Sequence, residues 1–418
     1  MYCPSAILYC TNLKMLKNNS NLLLIIIFLI ISFFSLVFIK NFSPRGAQHF
    51  IAMAYGFMEK RLDLPYLDPD YGDLDTNFHN GKFFWTEPPF SGILLVPFVF
   101  LSDLFQLPLY QGYLQFFITL GIFFVCYKLA KIKGQNKVNS LFLAFAFCFS
   151  SIYSFVSLFS ESWYFSQSLS VLLLLLSLYE WFTKRRLIIV GLLLACLVLT
   201  RTTTIFSAVF FIMSLLFEKG SDQIKKISNI LTLTIPIVVS VLLIFGYNQA
   251  RFGNIFTTGH ATNNVQPQMQ ALMRDRYGLF KVSNIPSNFY WYFLSFPQPV
   301  TEPDTYHLVF PFFQTDGWGM SFFIMSPLFL LILKTIKKGS SKENIFIWIS
   351  STMTLLLLLM WHSTGFFQIG PRYLLDLLPL WFILLLNVLS KENIKPIHYA
   401  VIIISSLTNL FWILPYLS

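Results

Sequence analysis

Apolar runs of about twenty residues recur along the chain, each closed by a short polar segment, and this pattern constrains the fold more than any other feature. A membrane-crossing helix needs roughly 20 mostly apolar residues. Lipid admits only structures whose backbone polar groups are satisfied internally. Eleven segments read as spans, at about 22–39, 109–130, 139–158, 167–183, 187–200, 203–217, 228–247, 319–335, 345–361, 373–390 and 398–416. The fifth and sixth are short and separated only by Arg201 and its neighbours. Composition agrees, since 56% of residues are hydrophobic and 11% charged, against about 25% charged in a soluble globular domain. A soluble enzyme, a disordered protein and a nucleic-acid-binding protein are excluded. The expected fold is a single integral membrane domain over 1–418, an all-α polytopic protein of about eleven transmembrane helices.

Charge orients these helices. With the N-terminus in the cytoplasm, every inner segment is basic, and together they hold 18 basic residues against 5 acidic; the outer segments hold 11 basic and 14 acidic. Lys and Arg favour cytoplasmic loops, so the net charge of +10 reads as a topology signal rather than a nucleic-acid footprint. Residues 1–14 differ in character from the rest of the chain, and Met15 is an alternative start. The first span lacks a small-residue cleavage site and reads as an uncleaved anchor. Cys3 and Cys10 precede it, and Cys126, Cys148 and Cys196 lie in apolar runs, so no disulfide framework is expected.

Two outer segments, 40–108 and 248–318, are too long to be plain connectors. In the first, Pro88-Pro89 precedes an apolar stretch, Phe90 to Leu104, expected to be an interfacial helix on the outer face. In the second, residues 288–293 are rich in aromatics, which favour the headgroup zone.

The first outer segment concentrates acid: Asp63, Asp68, Asp70, Asp73 and Asp75, then Glu87. Gly72 and the Asn80-Gly81 turn mark it as an ordered loop. A carboxylate here can serve as general base towards an acceptor hydroxyl; the alternative is a solvated acidic loop. Arg201 stands at the outer mouth of two apolar spans, where an ionisable group is costly and a functional candidate. Its planar fork suits phosphate, while snorkelling or pairing with a loop carboxylate is the alternative. Arg372 and Asp376 are four apart at the start of a span and are expected to share one helix face, with Asp376 orienting Arg372. Arg251, ending the seventh span, either touches phosphate or marks the interface. Five of the six histidines (His49, His79, His260, His307 and His362) are external, and none pairs at ligand spacing.

Together these pieces resemble the GT-C fold glycosyltransferases, in the branch of protein O-mannosyltransferases and aminoarabinose-lipid A transferases. The stretch from Asp75 through Asn77, His79, Gly81 and Lys82 to Phe84 resembles that group's Asp-x-x-x-Tyr-x-Gly-x-Tyr-Tyr run. Thr86-Glu87-Pro88-Pro89 resembles its Glu-Lys-Pro-Pro element. Leu199-Thr200-Arg201, the run Asn248 to Asn254 with Arg251, and the run Gln368 to Pro379 with Arg372 and Asp376 are similar to its later motifs. There are two departures. No carboxylate stands in 41–49, where many members carry one taken as the base, and Glu87 stands where the family often has Lys.

The resemblance implies an inverting transfer of sugar from a polyprenyl-phosphate donor to an acceptor lipid, glycan or protein on the non-cytoplasmic face of a bacterial inner or plasma membrane. Asp75 or a neighbouring Asp would be the base, unless the enzyme lacks the usual one, and Arg201, Arg372 and Lys82 would meet the donor phosphate. Asp73, His79, Glu87, Arg251, Gln368 and Asp376 would lie near substrate or support these groups. No cofactor is required; a divalent metal would be compatible, although no spacing points to one. Membrane lipids are the other expected partners. A carrier or flippase of lipid-linked substrate, a catalytically inactive homologue acting in assembly, and a polysaccharide ligase or polymerase are the competing expectations. A carrier would want charged groups at the bilayer midplane, whereas here they cluster at the outer helix ends.

Overall fold

The computed structural model describes residues 4–43, 46–69, 71–220, 222–260, 268–337 and 339–417; Cys3, Arg45 and Asp70 fall outside them. The chain opens with α1 (Pro4–Asn41) and α2 (His49–Met58). A hairpin of β1 (Thr76–His79) and β2 (Lys82–Trp85) leads to α3 (Phe90–Phe105). Then come α4 (Gln111–Ile132), α5 (Lys137–Phe149), α6 (Tyr153–Leu158), α7 (Ser162–Phe182), α8 (Leu187–Thr200), α9 (Ser207–Leu216) and α10 (Gln223–Phe252). The second long segment holds α11 (Gln268–Tyr277), α12 (Ile285–Phe289) and a hairpin of β3 (Gln298–Thr301) and β4 (Leu308–Gln314). The chain closes with α13 (Phe322–Met325), α14 (Lys342–Met360), α15 (Leu378–Glu392) and α16 (Pro396–Ile413).

The architecture is mostly helical, with two two-stranded hairpins that hydropathy alone does not place. Among the described residues, six helices are long and apolar enough to cross a membrane: Ser20–Asn41 of α1, α4, α7, α10, α14, and Pro396–Tyr416, which is α16 with its final turn. The other expected spans are shorter or broken. The segment 139–158 divides into α5 and α6 at Ser150-Ser151, where the Ile152 N–H turns aside to the Ser326 hydroxyl (3.0 Å). The segment 319–335 is one short α turn followed by a 3₁₀ stretch, Pro327–Thr335; Pro327 cannot donate to an α-helical ladder. The segment 373–390 begins as a 3₁₀ turn, Arg372–Asp376, before α15.

Burial separates the two groups. Phe142 to Phe149 of α5 and Leu378 to Leu386 of α15 are buried without interruption, as expected of helices apolar all round and packed in a core. By contrast α1, α10 and α16 keep Phe28, Ile31, Leu242, Leu243 and Ile404 exposed along one side. The stretch expected to be interfacial is helical: α3 packs on α2 and exposes Phe100, Leu104 and Phe105. The β1–β2 register pairs His79 with Lys82 across Asn80-Gly81, both at positive φ, which is the type I′ hairpin turn favoured by Asn-Gly.

Ion pairs brace the lysine-rich end of the helices. Lys133 bonds Glu343 (2.6 Å), Arg185 bonds Glu218 (2.6 Å) and Arg186 bonds Glu180 (2.9 Å). The opposite helix ends carry the longer loops, and with them Glu87, Arg201 and Arg251.

Candidate functional site

Arg201 ends α8 in extended geometry, so its side chain leaves the helix and meets residues far along the chain. Its Nε donates to Asp376 Oδ1 (2.8 Å) and its Nη2 to Oδ2 (3.3 Å), while the Thr203 hydroxyl donates to Oδ2 (2.6 Å). Asp376 is therefore the anchor of Arg201, not of Arg372 as the sequence suggested. The reason is local: Arg372–Asp376 is a 3₁₀ turn, and at 3.0 residues per turn positions four apart no longer face the same way.

The third edge of the Arg201 guanidinium faces Glu87, with Nη1 and Oε1 3.9 Å apart. Glu87 precedes α3 and is 8% exposed. Its carboxylate makes no hydrogen bond among the described residues. Burial pushes the Glu87 carboxyl above its ordinary range, the nearby Asp376 adds to this, and Arg201 and Arg372 pull it partly back. A buried acid with a raised affinity for protons is suited to acid–base work near neutral pH.

Arg251, in the last turn of α10, is buried. It donates from Nη1 to the Trp85 carbonyl (2.8 Å) and from Nη2 to Asn248 Oδ1 (3.0 Å), and lies on the Tyr247 ring at 3.8 Å. Among the described residues no carboxylate stands within ion-pair distance of it, so its positive charge is not neutralised by direct contact.

These groups line one cavity of about 140 Å³, with Thr86, Glu87, Arg201, Tyr247, Asn248, Arg251, Gly259, His260, Trp361 and Tyr373 in its wall. At about 30 Å³ per water, it takes four or five waters or one phosphate-sized group. Ile244 and Leu358 give it an apolar flank. Burial, with the charges of Arg201 and Arg251, lowers His260 to about 4, so the ring is neutral at pH 7.

Tyr373 joins the site without having stood out in the sequence. Its ring carries the Arg201 guanidinium at 5.7 Å and that of Arg372 at 5.3 Å. Its phenol lies within electrostatic range of Asp75, Glu87, Arg201 and Arg372. Only its place beside Arg372 could have signalled it.

The remaining candidates lie outside the cavity wall. Asp75 sits before β1 at φ 57°, outside the cavity wall, and its charge acts on the Tyr373 phenol. Lys82 is exposed and pairs with Asp63 (3.4 Å). Asp73 caps the loop through its carbonyl, which accepts from the Thr76 N–H (3.0 Å). His79 packs edge-on against Phe252. Gln368 organises its own loop, with Nε2 donating to the Trp318 and Thr364 carbonyls (2.9 and 3.1 Å). Arg372 is buried against Tyr164 and Tyr373. Among the described residues no cluster of three or more His, Cys, Asp or Glu side chains is placed to hold a metal.

One glycine sets the cavity's width. A Cβ at Gly259 would fall 2.6 Å from Thr86 Cα and 2.8 Å from its carbonyl oxygen. Gly259→Ala should therefore push the His260 loop off Thr86 at a cost of about 1–3 kcal/mol, typical of overpacking. A thermal melt should show the loss, and the Trp361 environment, read by fluorescence, should change with it.

Comparison with protein-family models, curated proteins and solved structures gives no match.

Proposed function

We propose that the chain is a membrane glycosyltransferase that moves a sugar from a polyprenyl-phosphate donor to an acceptor on the non-cytoplasmic face, with inversion at the anomeric carbon. One observation carries this reading: a buried carboxylate without a hydrogen-bond partner among the described residues, Glu87, faces Arg201 in a cavity that Arg251 also lines. The acceptor O–H attacks the anomeric carbon and gives its proton to Glu87. The bond from that carbon to phosphate oxygen breaks, and the polyprenyl phosphate leaves with the charge that Arg201 and Arg251 stabilise. Such preorganised electrostatic stabilisation is usually the largest catalytic effect. The base is assigned to Glu87 rather than Asp75 because Glu87 lines the cavity and Asp75 does not.

The eleven-span topology, with a cytoplasmic N-terminus and the cavity outside, belongs to the same proposal. It rests on the basic bias of the inner segments. The short buried helices α5 and α15 would then cross as core members of the bundle, with α1, α4 and α16 packed on α5 and with α7 and α14 packed on α15.

The direct cellular test is mass spectrometry of glycolipids and glycans from a deletion strain, which should lack one sugar modification that the intact gene restores. An unchanged profile counts against transfer. A pH series on the purified protein adds a second test. Glu87 must be ionised to act as base, so kcat/KM should rise with pH through a limb above the ordinary glutamate value of 4.5. A limb at or below that value would remove Glu87 from the role.

A further inference from the structure

The β3–β4 hairpin is apolar along its middle and left uncovered by the rest of the chain. Leu308, Val309, Phe310, Phe312 and Phe313 of β4 are all exposed, Phe310 to 74%. Side chains of a strand point alternately to its two sides, so apolar groups emerge on both. The two ends of the hairpin are polar: Gln298 pairs with Gln314 at its base, and Glu302, Asp304, Thr305 and His307 at its tip are exposed. A lone two-stranded hairpin is at best marginally stable in water, and apolar groups in water on both sides would weaken it further.

The hairpin leans on the end of α16. The Phe310 ring meets that of Phe411 edge-on at 6.0 Å, and the Thr315 and Tyr416 hydroxyls are hydrogen-bonded (2.9 Å). Between hairpin and helix runs a groove of about 580 Å³, walled by Phe310, Phe313, Phe411, Trp412, Leu414 and Tyr416, with no charged side chain in its lining. Phe411 belongs to a longer surface. At 3.6 residues per turn, Ile397, Ile404, Leu407, Phe411 and Leu414 share one face of α16 and its final turn, and all but Phe411 are exposed. This stripe runs the length of a helix long and apolar enough to cross a membrane, so lipid is what covers it. The hairpin continues the same apolar surface at the end of the helix. Lys40, in the last turn of α1, donates from Nζ to the Leu417 carbonyl, so α1 and α16 end together beside the hairpin.

A protein partner would cover one side of the hairpin and leave the other in water, whereas lipid surrounds both. An uncharged groove walled by aromatic and aliphatic groups also suits a hydrocarbon chain. The depth follows from the polar parts. The unpaired N–H and C=O groups along the hairpin's edges are not tolerated in the hydrocarbon core, and neither is the acidic tip. The boundary of headgroups and acyl chains accepts both, and it favours Tyr and Trp, here Tyr306 at the tip and Trp412 in the groove. We propose that the β3–β4 hairpin lies in the lipid leaflet beside α16, at the headgroup boundary, and that a lipid hydrocarbon chain fills the groove between them. This holds independently of the transferase reading and rests on α16 being a span.

The test uses the full chain in nanodiscs of phosphatidylcholine and phosphatidylglycerol. The five cysteines are replaced by alanine, and one nitroxide is attached at Phe310→Cys, Phe312→Cys, Leu407→Cys or Asp304→Cys. Power saturation compares collisions with molecular oxygen, which concentrates among acyl chains, and with a water-soluble nickel chelate. The logarithm of the oxygen-to-nickel ratio should be positive at positions 310 and 312, as at 407 on the α16 stripe, and negative at 304. Negative values at 310 and 312 would put the hairpin in water. Few collisions there with either reagent would mean that a protein surface, a second copy included, covers it. Either result overturns the proposal. A second measurement needs no substitution. Wild-type protein in nanodiscs holding a phosphatidylcholine with a diazirine in its acyl chain is irradiated and digested, and the peptide containing residues 308–313 should carry lipid adducts. A hairpin peptide free of adducts overturns the proposal whatever the fate of the variants.

Discussion

Glu87→Gln should lower kcat for sugar transfer by about 10²–10⁴-fold, the usual contribution of a positioned general base, while the protein remains folded and membrane-inserted. The amide has nearly the carboxylate's shape and cannot take the acceptor's proton. It also loses its attraction for Arg201, which at 3.9 Å and without a hydrogen bond is a minor part of Arg201's anchoring. Donor affinity should therefore change little, and the effect should appear in kcat. Asp75→Asn is the informative companion. Asp75 lies outside the cavity wall and is not the acid facing Arg201, so this variant should stay within about tenfold of wild type, well short of the loss of a general base. If Asp75→Asn is the dead variant and Glu87→Gln the active one, the roles assigned to the two acids are reversed.

The second large effect concerns stability. Arg201→Ala strands Asp376, which is 1% exposed and loses both guanidinium bonds, keeping the Thr203 hydroxyl. Breaking one side of a buried pair typically costs about 3–5 kcal/mol, because the partner's charge stays buried. The variant should melt well below wild type. Replacing both residues together with apolar side chains of similar volume (Arg201→Met with Asp376→Leu) should recover much of that stability, since a well-packed apolar pair is often as stable as a buried ionic one. The double variant should still fail in transfer, because the cation facing Glu87 is gone. Recovery of both folding and transfer would mean that Arg201 is only a structural post. Arg201→Lys should rescue neither fully, since an ammonium cannot reproduce the bidentate geometry.

Much of the helical framework was legible in the sequence, because membrane-length apolar runs and the Asn80-Gly81 turn are local signals. The count of spanning-length helices was not. A run such as Phe142 to Phe149 or Leu378 to Leu386 is apolar on every side whether it meets lipid or other helices, and only tertiary burial distinguishes the two. Breaks at Ser150-Ser151 and Pro327 shorten segments that hydropathy alone joins.

The site was legible in kind but not in pairing. Arg201 and Arg251 stood out as ionisable groups closing apolar helices, yet the Asp376 carboxylate that holds Arg201 and the Trp85 carbonyl that holds Arg251 lie 175 and 166 residues away in the chain. No periodicity links such positions. The expected Arg372–Asp376 face depended on α-helical geometry, and the 3₁₀ turn there redirects Asp376 to Arg201. Tyr373 carried no motif; its interest comes from the neighbours that folding gives it.

The measurement that bears most directly on the proposed activity is donor cleavage by the purified protein in proteoliposomes carrying polyprenyl-phosphate hexoses. Wild-type protein should release polyprenyl phosphate and pass the hexose to an acceptor hydroxyl, and Glu87→Gln should do neither while melting like the wild type. Movement of intact donor between leaflets without cleavage, or cleavage by Glu87→Gln at the wild-type rate, would contradict it.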